Sequence, residues 1–275
     1  MLENDIENRF YVNIRKTKTK RTVKRKRNKA KSDIEAGKNI PVNLLKYNLS
    51  FVKDSTVIMQ AIVSPLIMSI AIFIPNILIN RDIIEQYYDS MGLLTGMFLG
   101  TAIGLFENSS PINLNSIMVS LDGAGFDYFK ALPLDRGRYI KSKLVASTII
   151  VGSCISISTT VMGILMQISL INVFIGILSA NLVTLAISSL WIKYDYKHVI
   201  TNWHNISEVQ SRLPKAYIFL MVFLIMMVIV IFIGIFTFLT TLISSFYLFL
   251  MLLALEVALA VIMPREMMFF ARNHR

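Results

Sequence analysis

Six stretches of this chain are apolar over roughly the 20 residues that a helix needs to cross a hydrocarbon core of about 30 Å. They run from Val57 to Ile79, Met91 to Phe106, Leu144 to Met166, Ser169 to Trp191, Ala216 to Phe238 and Leu242 to Met263. The second is short and is expected to continue past Asn108 as a broken or re-entrant piece. Composition agrees: 55% of residues are hydrophobic and only 16% charged, against about 25% charged in soluble domains. A soluble globule is excluded. The expectation is an all-α, polytopic membrane protein with six spans at 57–264.

The loops sort by charge. Asn80 to Ser90 carries Arg81 against Asp82, Glu85 and Asp89, and the turns near Gln167 and Thr240 carry none. The loop after the second stretch holds Lys130, Arg136, Arg138, Lys141 and Lys143, and the next basic loop holds Lys193, Lys197, Arg212 and Lys215. Basic loops stay cytoplasmic, so both termini are expected there, including the tail 265–275 with Arg265, Arg272 and Arg275.

Of the 28 Lys and Arg residues, 15 precede Val57. Residues 1–40 read as a disordered basic tail. Its run Arg15 to Lys31 has no interleaved aromatics to stack on bases, so anionic lipid is the expected partner rather than nucleic acid. Residues 41–56 mix Leu44, Leu45, Leu49, Phe51 and Val52 with Lys46, Asn48 and Lys53. That mix suits an amphipathic interfacial helix or a plain juxtamembrane linker.

Within the apolar stretches, Gly92, Gly96, Gly100 and Gly104 recur every four residues, a bare ridge on one helical face that lets a neighbour pack closely. The other reading is a moving or substrate-lining surface. The third stretch carries Ser147, Thr148, Ser153, Ser156, Ser158, Thr159 and Thr160, whose hydroxyls bond back to their own helix or reach across. Pro65 and Pro75 are expected to bend the first span. Glu256, with Asn181, is the candidate intramembrane polar site, since a carboxylate at that depth must be protonated, hydrated or paired. No Lys, Arg or His lies in any of the six stretches.

Catalytic constellations are missing. There is no GxxxxGK[ST] loop to cradle phosphates; Gly37-Lys38 is followed by Asn39 in a polar tail. Of His198, His204 and His274, the first two sit six residues apart in a basic loop without a partner in another span, so no HExxH-type metal centre is expected. Cys154 is the only cysteine, which removes intramolecular disulfides and thiolate clusters. No cofactor is expected.

Two charged stretches carry a resemblance. Ser120 to Leu144 reads SLDGAGFDYFKALPLDRGRYIKSKL. It resembles the permease subunits of type-2 ABC exporters, in particular the second six-span half of long bacterial putative exporter permeases. Their pattern is Ser-x-Glu-Gly, Leu-Lys, Leu-Pro-Ile and a Lys heading the next span. Ser120, Gly123, Lys130, Leu132, Pro133 and Lys143 match, while Asp122 replaces Glu and Leu134 replaces Ile. The segment Trp191 to Lys215 is similar to a second motif of the family through Asp195, Lys197, Asn202 and Trp203. His198 and Val199 depart from the usual Arg-Pro or Lys-Pro.

The resemblance implies a transport subunit of a bacterial cell membrane, without catalytic residues, whose cytoplasmic coupling helices meet a separate ATPase. It also implies a second permease half, either another copy or a separately encoded chain. Gly123 and Gly125 are expected to make a turn, followed by a short helix through Phe126, Phe129 and Lys130 that stops at Pro133. The competing reading, from another class, is a non-transporting scaffold or an immunity protein that sequesters a toxic peptide.

Overall fold

The computed structural model describes residues 44–53, 55–63, 67, 71, 92–109, 113–131, 135–204, 208–209 and 244–273. These are helical apart from turns and short irregular links. The basic tail, most of the first apolar stretch with Pro65 and Pro75, the loop Asn80 to Ser90 and the fifth stretch lie outside the described residues.

Helix α1 covers residues 44–49 and tightens into a turn at Ser50–Lys53. Lys46, Ser50 and Lys53 are exposed, whereas Leu45, Leu49 and Phe51 pack on the main core. A helical turn at Ser55–Val57 then loosens into π-helical Ile58–Val63.

Four longer elements follow. Helix α2 is Leu93–Ser109. After the short α3, Gly125–Ala131, come α4 at Arg136–Leu165, α5 at Leu170–Lys197 and α6 at Ser245–Asn273. Among the described residues, α4, α5 and α6 are long and apolar enough to cross a membrane. At about 1.5 Å per residue, their 30, 28 and 29 residues exceed the apolar runs that announce them.

The excess lies at the charged ends. Asp135 caps α4, its side chain accepting from the Gly137 N–H at 2.9 Å, which starts the helix eight residues before Leu144. Helix α5 continues past Trp191 to Lys197, and α6 continues through Pro264 to Asn273. Between α4 and α5 the chain reverses at Met166–Ser169, with Gln167 at φ +55° and Ser169 as the new cap.

Register gives the directions. Gly96 faces Asn172, Gly100 faces Gly176 and Gly104 faces Ala180, so α2 and α5 run parallel. Thr101 and Ser179 both reach Glu256, and Lys193 lies 3.9 Å from Glu266, so α6 runs the same way. Helix α4 is antiparallel, pairing Gly163 with Val173 and Gly152 with Asn181. The basic residues of α4, α5 and α6 therefore collect at one end, where Arg272 of α6 comes within 4.0 Å of Asp135. The large core cluster lies toward that end, and a smaller one of Leu94, Met97, Leu248 and Leu252 joins α2 to α6.

Candidate functional site

Residues 113–122 are buried throughout although they are not a regular helix. Buried backbone of that kind must find partners, and here local turn bonds and side chains together supply them. Asn113 caps the turn Leu114–Ser116 by accepting from the Asn115 N–H at 2.9 Å, and Ser116 Oγ donates to the Asn113 carbonyl at 2.7 Å. Asn108, at the end of α2, is the hub. Its Oδ1 accepts from Asn113 and Asn115, its amide donates to Thr184 Oγ1 at 3.1 Å, and its carbonyl accepts from Trp191 Nε1 at 2.7 Å. Beyond Asn108 the described segment 113–122 is thus clamped onto the end of α2 and onto α5.

The next turn joins the two resembling motifs. Asp195, fully within α5, accepts from the Val119 N–H at 2.6 Å, the Ser120 N–H at 3.0 Å and the Ser120 hydroxyl. Ser120 Oγ accepts in turn from the Ile200 N–H at 3.1 Å, and the Ser120 carbonyl accepts from Trp203 Nε1 at 2.8 Å. Gly123 closes the turn at φ +52°, and a Cβ there would sit 3.4 Å from the Trp203 indole nitrogen. Glycine is required for the backbone and suits the indole contact. Ser120, Gly123, Asp195 and Trp203 therefore form one unit, though about 75 to 83 positions separate the partners.

Asp122 does not point to solvent. Lys143 Nζ donates to its Oδ1 at 2.6 Å, with both side chains fully buried. Tyr139 donates to Oδ2, and Tyr47 of α1 reaches Oδ1 at 3.3 Å. The ammonium is otherwise surrounded by rings, 4.9 Å from the Phe51 centroid, 5.6 Å from Tyr139 and 5.7 Å from Tyr47, where the ring quadrupole attracts a cation. Burial and the neighbouring Asp122 carboxylate hold the Tyr47 phenol well above its usual range, so it stays a donor. Asn48 adds a second tie from α1, donating to Ser142 Oγ at 2.9 Å.

Helix α3 is short, as expected. Phe126 is buried edge-on to Tyr196, and Phe129 packs on Tyr139 at 5.2 Å, leaving Asp127 and Tyr128 exposed. Lys130 lies in α3, but its side chain, with Leu132 and Pro133, is outside the described residues. Lys197 and Asn202 are exposed at the same end.

The glycine row splits. A Cβ at Gly96 or Gly100 would collide with the carbonyls of Asn172 and Gly176, and one at Gly104 would lie 3.0 Å from the Ala180 oxygen. Gly92 stands before the helix at φ +54° with open space around it. Of the intramembrane polar pair, Asn181 donates to Ser156 Oγ of α4 at 2.9 Å, whereas Glu256 meets Thr101 and Ser179. In the third stretch the hydroxyls of Ser147, Ser153, Ser156, Thr159 and Thr160 bond back to their own helix. Among the described residues no group of His, Cys, Asp and Glu could hold a metal.

Sequence reasoning missed Tyr47, Phe51 and Tyr139. The signal was present: Tyr47 and Phe51, like Tyr139 and Lys143, stand four apart and so share a helical face. No family model, no curated protein and no solved structure matches this chain.

Proposed function

We propose that this chain is the membrane-spanning subunit of an ATP-driven exporter, similar to type-2 ABC permeases. It sits in a bacterial cell membrane through six spans, with both termini and the basic loops in the cytoplasm. ATP hydrolysis belongs to a separate subunit. The observation that carries the reading is the meeting of the two motifs: Asp195 and Trp203 hold the Ser120–Gly123 turn, and Lys143 holds Asp122. Residues that resemble the family in two distant stretches serve one structural purpose here.

Two further features support it. Helices α2, α5 and α6 run parallel and α4 runs opposite, the arrangement expected of spans two, four, six and three in an alternating six-span chain. Exposed apolar side chains such as Ile157, Phe174, Leu178 and Phe246 line the outer faces of the long helices, a surface suited to lipid. The anchored α3 presents Asp127 and Tyr128 to a partner. An ATPase pressing there would move α1, α4 and α5 together through the buried unit, coupling its closure to alternating access between two permease halves. The basic tail adds contact with anionic lipid.

Affinity purification from mild detergent tests this. A separately encoded ATP-binding subunit and a second permease half should accompany the tagged chain. Recovery of the chain alone, with full resistance to a toxic peptide conferred by its lone expression, would favour the sequestering immunity protein instead.

A further inference from the structure

Helix α6 meets α2 and α5 at one polar point in an otherwise apolar junction. Glu256 is only 4% exposed. Its Oε1 accepts from Thr101 Oγ1 at 2.6 Å and from Ser179 Oγ at 2.7 Å. The two hydroxyls are 3.0 Å apart, and they lie 2.8 and 3.3 Å from the Met97 carbonyl. Oε2 is buried and has no hydrogen-bond partner among the described residues.

A charged carboxylate would be poorly served there. Among the described residues, one oxygen would have two neutral donors, the other none, and no cation lies near. The nearest charged side chains along the three helices are Glu107, six residues past Thr101, Arg265, nine past Glu256, and Lys193, fourteen past Ser179. At about 1.5 Å per residue these are about 9, 13 and 21 Å along the helix axes. Helix α4, which also touches α6, offers only Cys154 in its apolar run, and neither 57–79 nor 216–238 contains Lys, Arg or His. Isolated buried charge is costly enough that such groups neutralise instead.

No metal ion is called for, since among the described residues no group of three or more His, Cys, Asp or Glu could hold one. A proton fits.

We propose that Glu256 is a proton-binding site. In the packed bundle it is a neutral carboxylic acid, with Oε1 as the carbonyl held by Thr101 and Ser179 and the proton on Oε2. Release breaks the Oε2–H bond, leaves the electron pair on the carboxylate and passes the proton to water. Oε2 is buried in the packed bundle, so proton exchange with water is tied to an opening of the packing around it.

Infrared spectroscopy of the full chain reconstituted in lipid tests the site independently of transport. At neutral pH the wild type should show the carbonyl stretch of a neutral carboxylic acid, shifted in deuterated buffer and missing in Glu256→Gln. Thr101→Val and Ser179→Ala should each move that band to higher frequency by removing a donor to Oε1, which keeps the test informative if Glu256→Gln does not fold. Only carboxylate bands at neutral pH, or carboxylate bands that change on adding sodium or calcium, would overturn the proposal.

Discussion

The charged end of the bundle and the α2–α5 seam solve the problem of burial in opposite ways. At the charged end, an irregular segment is packed out of solvent: Asp195 accepts from its Val119 and Ser120 amides, Trp203 donates to its Ser120 carbonyl, and Asn108 accepts from its Asn115 side chain. A complete ion pair, Asp122 with Lys143, is buried among three rings. Along the seam the helical backbone satisfies itself, and closeness comes from the bare Gly96, Gly100 and Gly104 against Asn172, Gly176 and Ala180, with Thr101–Ser179 and Asn108–Thr184 as the polar ties. The first region depends on specific partners; the second depends on empty volume. Substitutions should therefore fail for different reasons in each.

The largest effect should come from breaking the buried pair. Removing one partner strands a charge, which costs about 3–5 kcal/mol, so Asp122→Ala and Lys143→Met should each lower stability by that order in thermal unfolding of the purified protein. The double replacement should recover much of the loss, since an apolar pair leaves no charge unpaired. Equal losses in the single and double variants would show that the pair is not what holds the turn.

Next comes the seam. Gly100→Ala should cost about 1–3 kcal/mol by overpacking against Gly176. Gly92→Ala should also cost about 1–2 kcal/mol, but through its left-handed backbone. Asparagine separates the two causes, because it tolerates positive φ. Gly92→Asn should approach wild-type stability in the same unfolding assay, and Gly100→Asn should be worse than alanine.

The smallest of the three is Tyr47→Phe. It removes one long hydrogen bond from a carboxylate that keeps Tyr139 and Lys143, worth about 0.5–1.5 kcal/mol. The same substitution should loosen α1, read as faster amide exchange at residues 44–49. A stability loss as large as that of Asp122→Ala would mean that α1 carries more of the site than its contacts suggest.

Features set by local pattern were legible in the sequence. The apolar runs announced α2, α4, α5 and α6, the four-residue glycine period announced the seam, and Gly123 announced the turn before α3. Features set by distant partners were not. Lys143 and Asp122 were both singled out, yet their pairing was hidden because nothing local says which lysine an acid will meet. Helices α4 and α5 outran their apolar stretches because Tyr139, Lys143 and Asp195 are buried by neighbours from elsewhere in the chain. Gly92 matched the period but owes its place to a φ angle, which spacing does not encode. Asn181 and Glu256 were named together as an intramembrane polar site, and packing sets them apart, Asn181 against α4 and Glu256 against α2 and α5.

The central claim is that the charged end, built from both motifs, faces the cytoplasm and receives an ATPase. Its most direct test is photo-crosslinking in intact cells, with a photoreactive phenylalanine analogue placed singly at Tyr128 and at Lys197, both exposed at that end. The account predicts that both positions trap the same ATP-binding subunit. Adducts with lipid or with extracellular reagents alone, and no ATP-binding protein from either position, would contradict it.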